Sequence, residues 1–497
     1  MQKFAIIDIG SNSMRMLIIA MNNKSFRVLD EVKETVRLGK DMHLNCLNPD
    51  RMEKAFKTLK FFKSLCDAQE INNIRIVATE AVRKAKNQKE FLNYIKENLN
   101  LDIQVLTGKE EAYYDYFGTV NTLEVSSALL MDIGGSSTEF ILMKDRKIEE
   151  SISIPIGAIN LTENFSLDTL IDDEKELKMD DFLSDKLADI TWLKEAKGLP
   201  LIGIGGSLRN IAKIHSKRES YPLDILHNYE LKASDIKDIY KHISSLDINQ
   251  RKKVKGLSKD RVDVFLGPLA LITKVLNSYD IENVIISGSG IREGLLFEHM
   301  LKDNIIESVL DSSLENHLEL YDINKVHAYN VLKLSSSLLK ELSPILKNSK
   351  SSSKVLKVAS LLHDCGVRIN YYQNHELALQ ILLKSKINGL SHKEIVMSAY
   401  TAAYFNKNDL KISEKNFDKL LSKEDIDTIN KLRILLRIAK NLDRAMDGNI
   451  ETLKCNISLD EVYIKVKSKK DPSLEILSAL DCSQLFRKTF DKKLIIA

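Results

Sequence analysis

Proline is scarce in this chain of 497 residues, with seven in all, and no low-complexity or Pro/Gly/Ser-rich stretch offers a linker. Length alone allows about three or four domains at ~100–200 residues each. Cysteine is also rare: Cys46, Cys66, Cys365, Cys455 and Cys482 lie far apart, without a CxxC pair. That spacing excludes a zinc ribbon and a disulfide framework; it is the pattern of reduced thiols, and a cytoplasmic protein is the expectation. No apolar run approaches the ~18 residues needed to cross a membrane. The opening MQKFAIIDIGSNS, interrupted by Asp8, fits no signal peptide. Excess charge of one sign is missing too, since 73 Lys and Arg face 70 Asp and Glu. A general polyanion binder would be far more basic, so an anionic ligand must be met by local placement of charge. No GxxxxGK[ST] occurs, which excludes a P-loop nucleotidase.

What the chain does contain is an internal echo. FAIIDIGSNSMRMLII (residues 4–19) lines up with ALLMDIGGSSTEFILM (residues 128–143), with Asp8, Ile9, Gly10 and Ser13 matching Asp132, Ile133, Gly134 and Ser137. Apolar runs flanking a short Gly/Ser/Asn turn read as strand, tight turn, strand. Two copies predict a duplicated α/β lobe with ligand held between the copies. IRIVAT (74–79) and QVLTG (104–108) each run into an amphipathic stretch, the first spanning Glu80 to Leu99. LIGIGGSLRNIAKI (201–214) and NVIISGSGIREGLLFEHM (283–300) repeat the habit, and such alternation implies sheets covered by helices. The expected boundaries are lobe I at 1–124, lobe II at 125–302, a helical domain at 303–448 and a small α+β segment at 449–497. In that last segment CNISLDEVYIKVKS (455–468) alternates as a strand and PSLEILSALDCSQLFRKTF (472–490) reads as one helix. KNSKSSSK (347–354) reads as a loop.

Four Gly/Ser turns follow strands: GSNS (10–13), GGSS (134–137), GIGGS (203–207) and SGSG (287–290). Exposed amides at such turns and at helix starts bind phosphate, which makes Ser11, Asn12, Ser13, Gly134, Gly135, Ser137, Gly205 and Gly206 the candidates. Asp8 and Asp132 either cap their turns or hold Mg²⁺ (or Mn²⁺) beside a phosphate, with Glu139 on the return strand completing the set. Thr107-x-x-Glu110 has capping-box spacing, which accounts for Glu110 but leaves Glu111 unexplained. A carboxylate beside a bound polyanion is raised in pKa and can act as general base on water; a plain surface glutamate is the other reading of Glu111. Arg83 and Asn87 lie four apart on one helix face; the Arg83 guanidinium, like that of Arg292 after SGSG, is either a phosphate clamp or a solvated helix residue.

DIGSNSMR, ATEAVRKAKN, TGKEEA, DIGGSSTEF, IPIGAINLTE, GIGGSLRNIA and SGSGIREGLL fall in one order along residues 1 to about 300. Together they resemble the exopolyphosphatase / guanosine pentaphosphate phosphohydrolase family, within the actin and hexokinase superfamily. The resemblance implies duplicated ribonuclease H-like lobes around a cleft. It gives Glu111, second of the Glu-Glu-Ala triplet, the role of base for the attacking water, and Arg83 that of phosphate clamp. It implies metal and phosphate contacts from Asp132, Gly134, Ser137 and Glu139, and puts Asp8, Ser11, Asn12 and Ser13 at the same site. The family's third loop glycine is Ser136 here, a Cβ that would narrow the phosphate cradle. The implied substrate is inorganic polyphosphate, with guanosine pentaphosphate as the alternative; a weakly active sensor and a sugar kinase are the other classes. A homodimer is implied by the resemblance alone.

His327, His363-Asp364 and Asp443 form a His…His-Asp…Asp spacing that resembles the HD phosphohydrolase domain and would suit one divalent metal. Basic clusters at Arg251, Lys252, Lys253, Lys255 and Arg261, and at Lys347, Lys350, Lys354 and Lys357, suit a long anionic substrate or are solvated faces. No recognition motif accompanies them, so nucleic acid is not an expected partner.

Overall fold

The structure, a computed structural model, describes residues 2–22, 25–346, 351–403 and 417–497. The chain divides into two compact units, Met1–Tyr221 with Ile225–Val309, and Leu310–Ala497 with Pro222–Asp224.

The first unit holds two sheets. β1 (Gln2–Ile9), β2 (Met14–Met21), β3 (Phe26–Glu34), β4 (Ile74–Ala78) and β5 (Gln104–Val105) lie in the order β3-β2-β1-β4-β5. β1 to β3 form an antiparallel meander, and β4 and β5 add in parallel. The second sheet comprises β6 (Ala128–Ile133), β7 (Thr138–Lys144), β8 (Lys147–Ile154), β9 (Leu201–Ile204), β10 (Tyr229–Lys232) and β11 (Asn283–Ile286), ordered β10-β11-β9-β6-β7-β8. Without β10, its order and strand senses repeat the first sheet, so the duplicated α/β lobes read from the sequence echo are present. The echo is legible because β1 and β6 are inner strands, covered on both faces, and so nearly continuous in apolar residues.

The helix Gly108–Val120 follows β5, and Ile291–Leu301 follows β11; the two pack against one another between the lobes. Their crossing is tight: a Cβ on Gly294 would stand 2.1 Å from the Tyr114 carbonyl oxygen, and one on Gly118 would stand 2.5 Å from that of Gly290. Gly294→Ala must therefore force the helices apart. We expect it to destabilise the unit by about 1–3 kcal/mol in denaturant unfolding and to lower activity, because Glu111 sits one turn before Tyr114.

The stretch read as one helix from Glu80 to Leu99 is two, Glu80–Arg83 and Gln88–Leu99. The break is held by tertiary hydrogen bonds: Lys86 N–H donates to Asn45 O at 2.8 Å, and the Asn87 amide exchanges two bonds with the Leu47 backbone. Asn87 is thus a structural clamp.

Among its described residues up to 441 the second unit is helical, including Lys325–Glu341, Ser352–Leu362, His392–Ala402 and Lys423–Asn441. It ends in a three-stranded sheet of β12 (Ile450–Ile457), β13 (Glu461–Ser468) and β14 (Lys493–Ile496). The strand expected at 455–468 is a hairpin whose alternation continues across a turn closed by Ser458 N–H on Glu461 O. The helix expected at 472–490 is broken into Ser473–Leu480 and Ser483–Phe490 around buried Cys482. Ser352–Lys354, read as loop, opens a helix, whereas residues 347–350, with Lys347 and Lys350, lie outside the described residues. Among the described residues no helix is long and apolar enough to cross a membrane.

Candidate active site

The two strand–turn–strand motifs face each other across a cleft between the lobes, closing on a cavity of about 120 Å³. Each turn is held by the same bond, Gly10 N–H to Ser13 O at 3.1 Å and Gly134 N–H to Ser137 O at 2.9 Å. Of the residues singled out from sequence, Asp8, Ser11, Asn12, Ser13, Glu111, Asp132, Gly134, Gly135, Ser137, Glu139, Gly205 and Gly206 all line this cavity. Ser136 does not line it. Its hydroxyl lies against Gly39, where a Cβ would come within 2.8 Å of Oγ, so the side chain that replaces the family's glycine leaves the cradle open.

Strand register places the charges. Asp8 pairs with Arg15 across β1 and β2, and at the equivalent place Asp132 pairs with Glu139 across β6 and β7. The duplication thus carries a cation in one copy and an anion in the other. Asp132 packs on the turn into the helix Gly205–Arg218, which opens without a capping side chain. Gly205 has φ +80°, and a Cβ there would fall 2.0 Å from Asp132 Oδ1, so only glycine fits. The uncapped amides of that helix start border the cavity, an arrangement suited to phosphate oxygens. Arg15, Arg209, Arg261 and Arg292 also line the cavity. Arg292 is fixed by Glu31 at 2.7 Å.

Glu110 closes the capping box with Thr107, as its spacing predicts. Glu111 turns inward, 5% exposed, and accepts a 2.9 Å hydrogen bond on Oε2 from Arg83 Nη1. Arg83 also donates to Leu106 O and, through Nε and Nη2, to Glu80 Oε2. Arg83 therefore holds the glutamate, and it is not among the residues that line the cavity. Burial pushes Glu111 up to about 8, with Arg83 working against the rise. Burial raises Asp132 to about 6, while Asp8 and, more strongly, Glu139 rise for the same reason.

Asp115 is the functional candidate that sequence reasoning missed. It is fully buried, one turn beyond Glu111, and both carboxylate oxygens lack a hydrogen-bond partner. Its pKa stands well above the ordinary value through burial and then through Asp132, Glu139, Glu111 and Asp8. The i, i+4 spacing from Glu111 was the available signal. Arg15 and Arg209 were also missed as cavity cations, although both sit inside the quoted motifs.

Buried oxygens without partners also occur on Asp8 Oδ1 and Asn12 Oδ1. Carboxylate and amide oxygens beside phosphate-binding turns are the hard donor set that Mg²⁺ or Mn²⁺ takes, so the residues present fit such an ion.

In the second unit His327, His363 and Asp364 come together, with one ligand atom from each lying within 4.8 Å of the others. Asp443 does not join them; it stands behind His327, bonded to Nδ1 at 2.7 Å. Several described residues of the basic clusters are engaged elsewhere. Arg251 is buried and donates to the carbonyls of Leu167 and Leu246, Lys354 pairs with Glu394, and Lys357 pairs with Asp311. Among the described residues of those clusters, Arg261 alone lines the cavity.

Two lobes of repeated topology around a carboxylate- and arginine-lined cavity form a two-lobed α/β site suited to phosphoryl chemistry. The chain belongs to the Ppx/GppA phosphatase family, matching it over residues 17–303 and matching the family's domain III over residues 309–486. It is 25% identical over 492 residues to the guanosine-5′-triphosphate,3′-diphosphate pyrophosphatase of Vibrio campbellii, covering 96% of this chain and 95% of that one. Among solved structures, an exopolyphosphatase from Cytophaga hutchinsonii is 25% identical with a TM-score of 0.57, over 60% of this chain and 98% of its own. The Ppx/GppA family member from Aquifex aeolicus is 29% identical with a TM-score of 0.53, over 61% and 99%.

Proposed function

We propose that the cleft hydrolyses the terminal phosphoanhydride of inorganic polyphosphate by direct attack of water, with Glu111 as general base. The observation that carries this reading is the buried Glu111 carboxylate, held by Arg83 and lining a phosphate-sized cavity. Arg83 occupies Oε2 and leaves Oε1 for a water, whose proton passes to the carboxylate as the oxygen attacks phosphorus. The bond to the bridging oxygen breaks, and orthophosphate and a chain one unit shorter leave. Arg209, Arg261, Arg15 and the turn amides hold the phosphoryl oxygens, and such fixed donors supply the larger share of the rate. Mg²⁺ or Mn²⁺ held by Asp8, Asp132 and Glu139 would add positive charge at the same oxygens.

Guanosine pentaphosphate is the second reading, favoured by the near full-length similarity to the Vibrio campbellii pyrophosphatase. Orthophosphate release with Mg²⁺ separates the two. We expect faster release per enzyme from long-chain polyphosphate; faster release from the nucleotide moves the assignment to it at the same site. Binding of both without turnover would overturn the enzymatic reading in favour of a sensor.

A further inference from the structure

Asp115 is a carboxylate of the cleft region that neither the motifs nor the proposed hydrolysis uses. It lies outside the TGKEEA motif, on the helix Gly108–Val120, one turn beyond Glu111 and on the same face. It is fully buried, and neither of its oxygens has a hydrogen-bond partner. A buried, unsatisfied carboxyl group is costly to keep, so its partner is to be sought outside the chain. The other carboxylates there are compensated within the protein. Arg209, Arg261 and Arg15 act on Asp132, Arg292 and Arg15 on Asp8, and Arg83 on Glu111. Ser153 Oγ donates to Glu139 Oε1 at 2.7 Å. The charges that act most strongly on Asp115 are instead four carboxylates, those of Asp132, Glu139, Glu111 and Asp8.

A glycine separates this group from the cavity. Gly290 and Ile204 line the cavity, whereas Asp115 does not. A Cβ on Gly290 would stand 3.2 Å from Asp115 Oδ1 and 3.1 Å from Ile204 Cγ2, so Oδ1 lies directly behind Gly290. The Gly290 amide is already spent on Glu293 Oε2 at 3.0 Å and does not satisfy the carboxylate. A carboxylate set one residue back from the cavity, with no donor from the protein, is placed to accept hydrogen bonds from the water of a hydrated cation. We propose that Asp115 is a positioning residue of the cleft, binding through water the Mg²⁺ or Mn²⁺ that Asp8, Asp132 and Glu139 would hold. Mg²⁺ keeps several of its waters when carboxylates bind it, which leaves a more distant carboxylate something to hold. Outer groups of this kind orient what the ion carries and add to its affinity.

Because this role presupposes the divalent cation proposed for the cleft, the test follows the Mn²⁺ ion whose binding Asp132→Asn removes; an ion held elsewhere in the chain survives that substitution. Mn²⁺ titrated into the metal-stripped full chain and read by electron paramagnetic resonance gives the affinity without turnover. Asp115→Asn, nearly isosteric, should weaken that ion roughly 10–100-fold, as a loss of outer support does. It should melt no lower than the wild type in chelator at pH 8.5, because it loses no hydrogen bond. Asp115→Ala serves if Asp115→Asn fails to fold by circular dichroism, and the same loss of affinity is expected from it. Unchanged Mn²⁺ affinity in the folded variant, or a weaker affinity that comes with a lower melting temperature of Asp115→Asn in chelator, makes Asp115 a structural residue and overturns the role. A wild-type chain that binds no Mn²⁺ sensitive to Asp132→Asn overturns the cation reading of the cleft itself.

Discussion

Glu111→Gln will abolish most orthophosphate release while leaving substrate binding nearly unchanged. The amide keeps the shape and the hydrogen bond to Arg83 but cannot take a proton from water, so kcat should fall roughly 10²–10⁴-fold with KM within about twofold. The pH dependence should identify the same group. The base works only when ionised, and burial holds its pKa at about 8. For the free enzyme kcat/KM therefore rises with pH and levels off near that value, and a bound divalent cation draws the limb to lower pH. Arg83 pulls the Glu111 pKa down, so Arg83→Met should move the limb upward as well as lowering the rate. Stopped assays across pH 5–9 read both effects. A limb that persists unshifted in both variants would place the base elsewhere.

Much of this site was legible in the sequence because its residues sit at fixed offsets from short, strongly patterned strands. Asp8 and Asp132 end inner strands, where a charged residue in an apolar run marks the place at which the chain leaves the sheet. The capping box at Thr107 and Glu110 told which of the two adjacent glutamates was structural, and the fold agrees. What was not legible depends on contacts between distant segments. Asp115 reads as an ordinary helix residue until its helix is seen packed tightly against Ile291–Leu301. Arg251 looks like part of a basic surface, yet its guanidinium is spent on backbone carbonyls more than eighty positions away in sequence order, at Leu167 and Thr169. Likewise the Glu80–Leu99 helix breaks because of hydrogen bonds to residues 45–47, which no local propensity reports. Short strands such as β14 were missed for a related reason: four residues become a strand only when β13 is there to pair with.

The crowding of carboxyl groups in the cleft leads to the second large effect, on stability. Asp8, Glu111, Asp115, Asp132 and Glu139 all have pKa values raised by burial, to about 8 for Glu111 and about 6 for Asp132. Unfolded, such groups ionise near 3.8 for aspartate and 4.5 for glutamate. Between those limits the folded protein keeps protons that the unfolded chain has released. Their contribution to stability is whole below the unfolded pKa and is lost as pH rises through the folded one. Every tenfold difference in proton affinity between the folded and unfolded chain is worth about 1.4 kcal/mol. In chelator, the melting temperature of the two-lobed unit should therefore fall between pH 5 and pH 8.5, on the order of 5–10 °C for a few kcal/mol in a unit this size. A divalent cation held by these carboxylates, as proposed, would replace the protons as counter-charge, so Mg²⁺ should raise the melting temperature more at pH 8.5 than at pH 5. Asp115→Asn removes one buried acid without changing volume and should flatten the decline in chelator. Calorimetry at the two pH values, with and without Mg²⁺, decides the matter. Equal gains from Mg²⁺ at both would mean that the cluster stays ionised in chelator and that the arginines around it, Arg15, Arg83, Arg209, Arg261 and Arg292, already balance its charge.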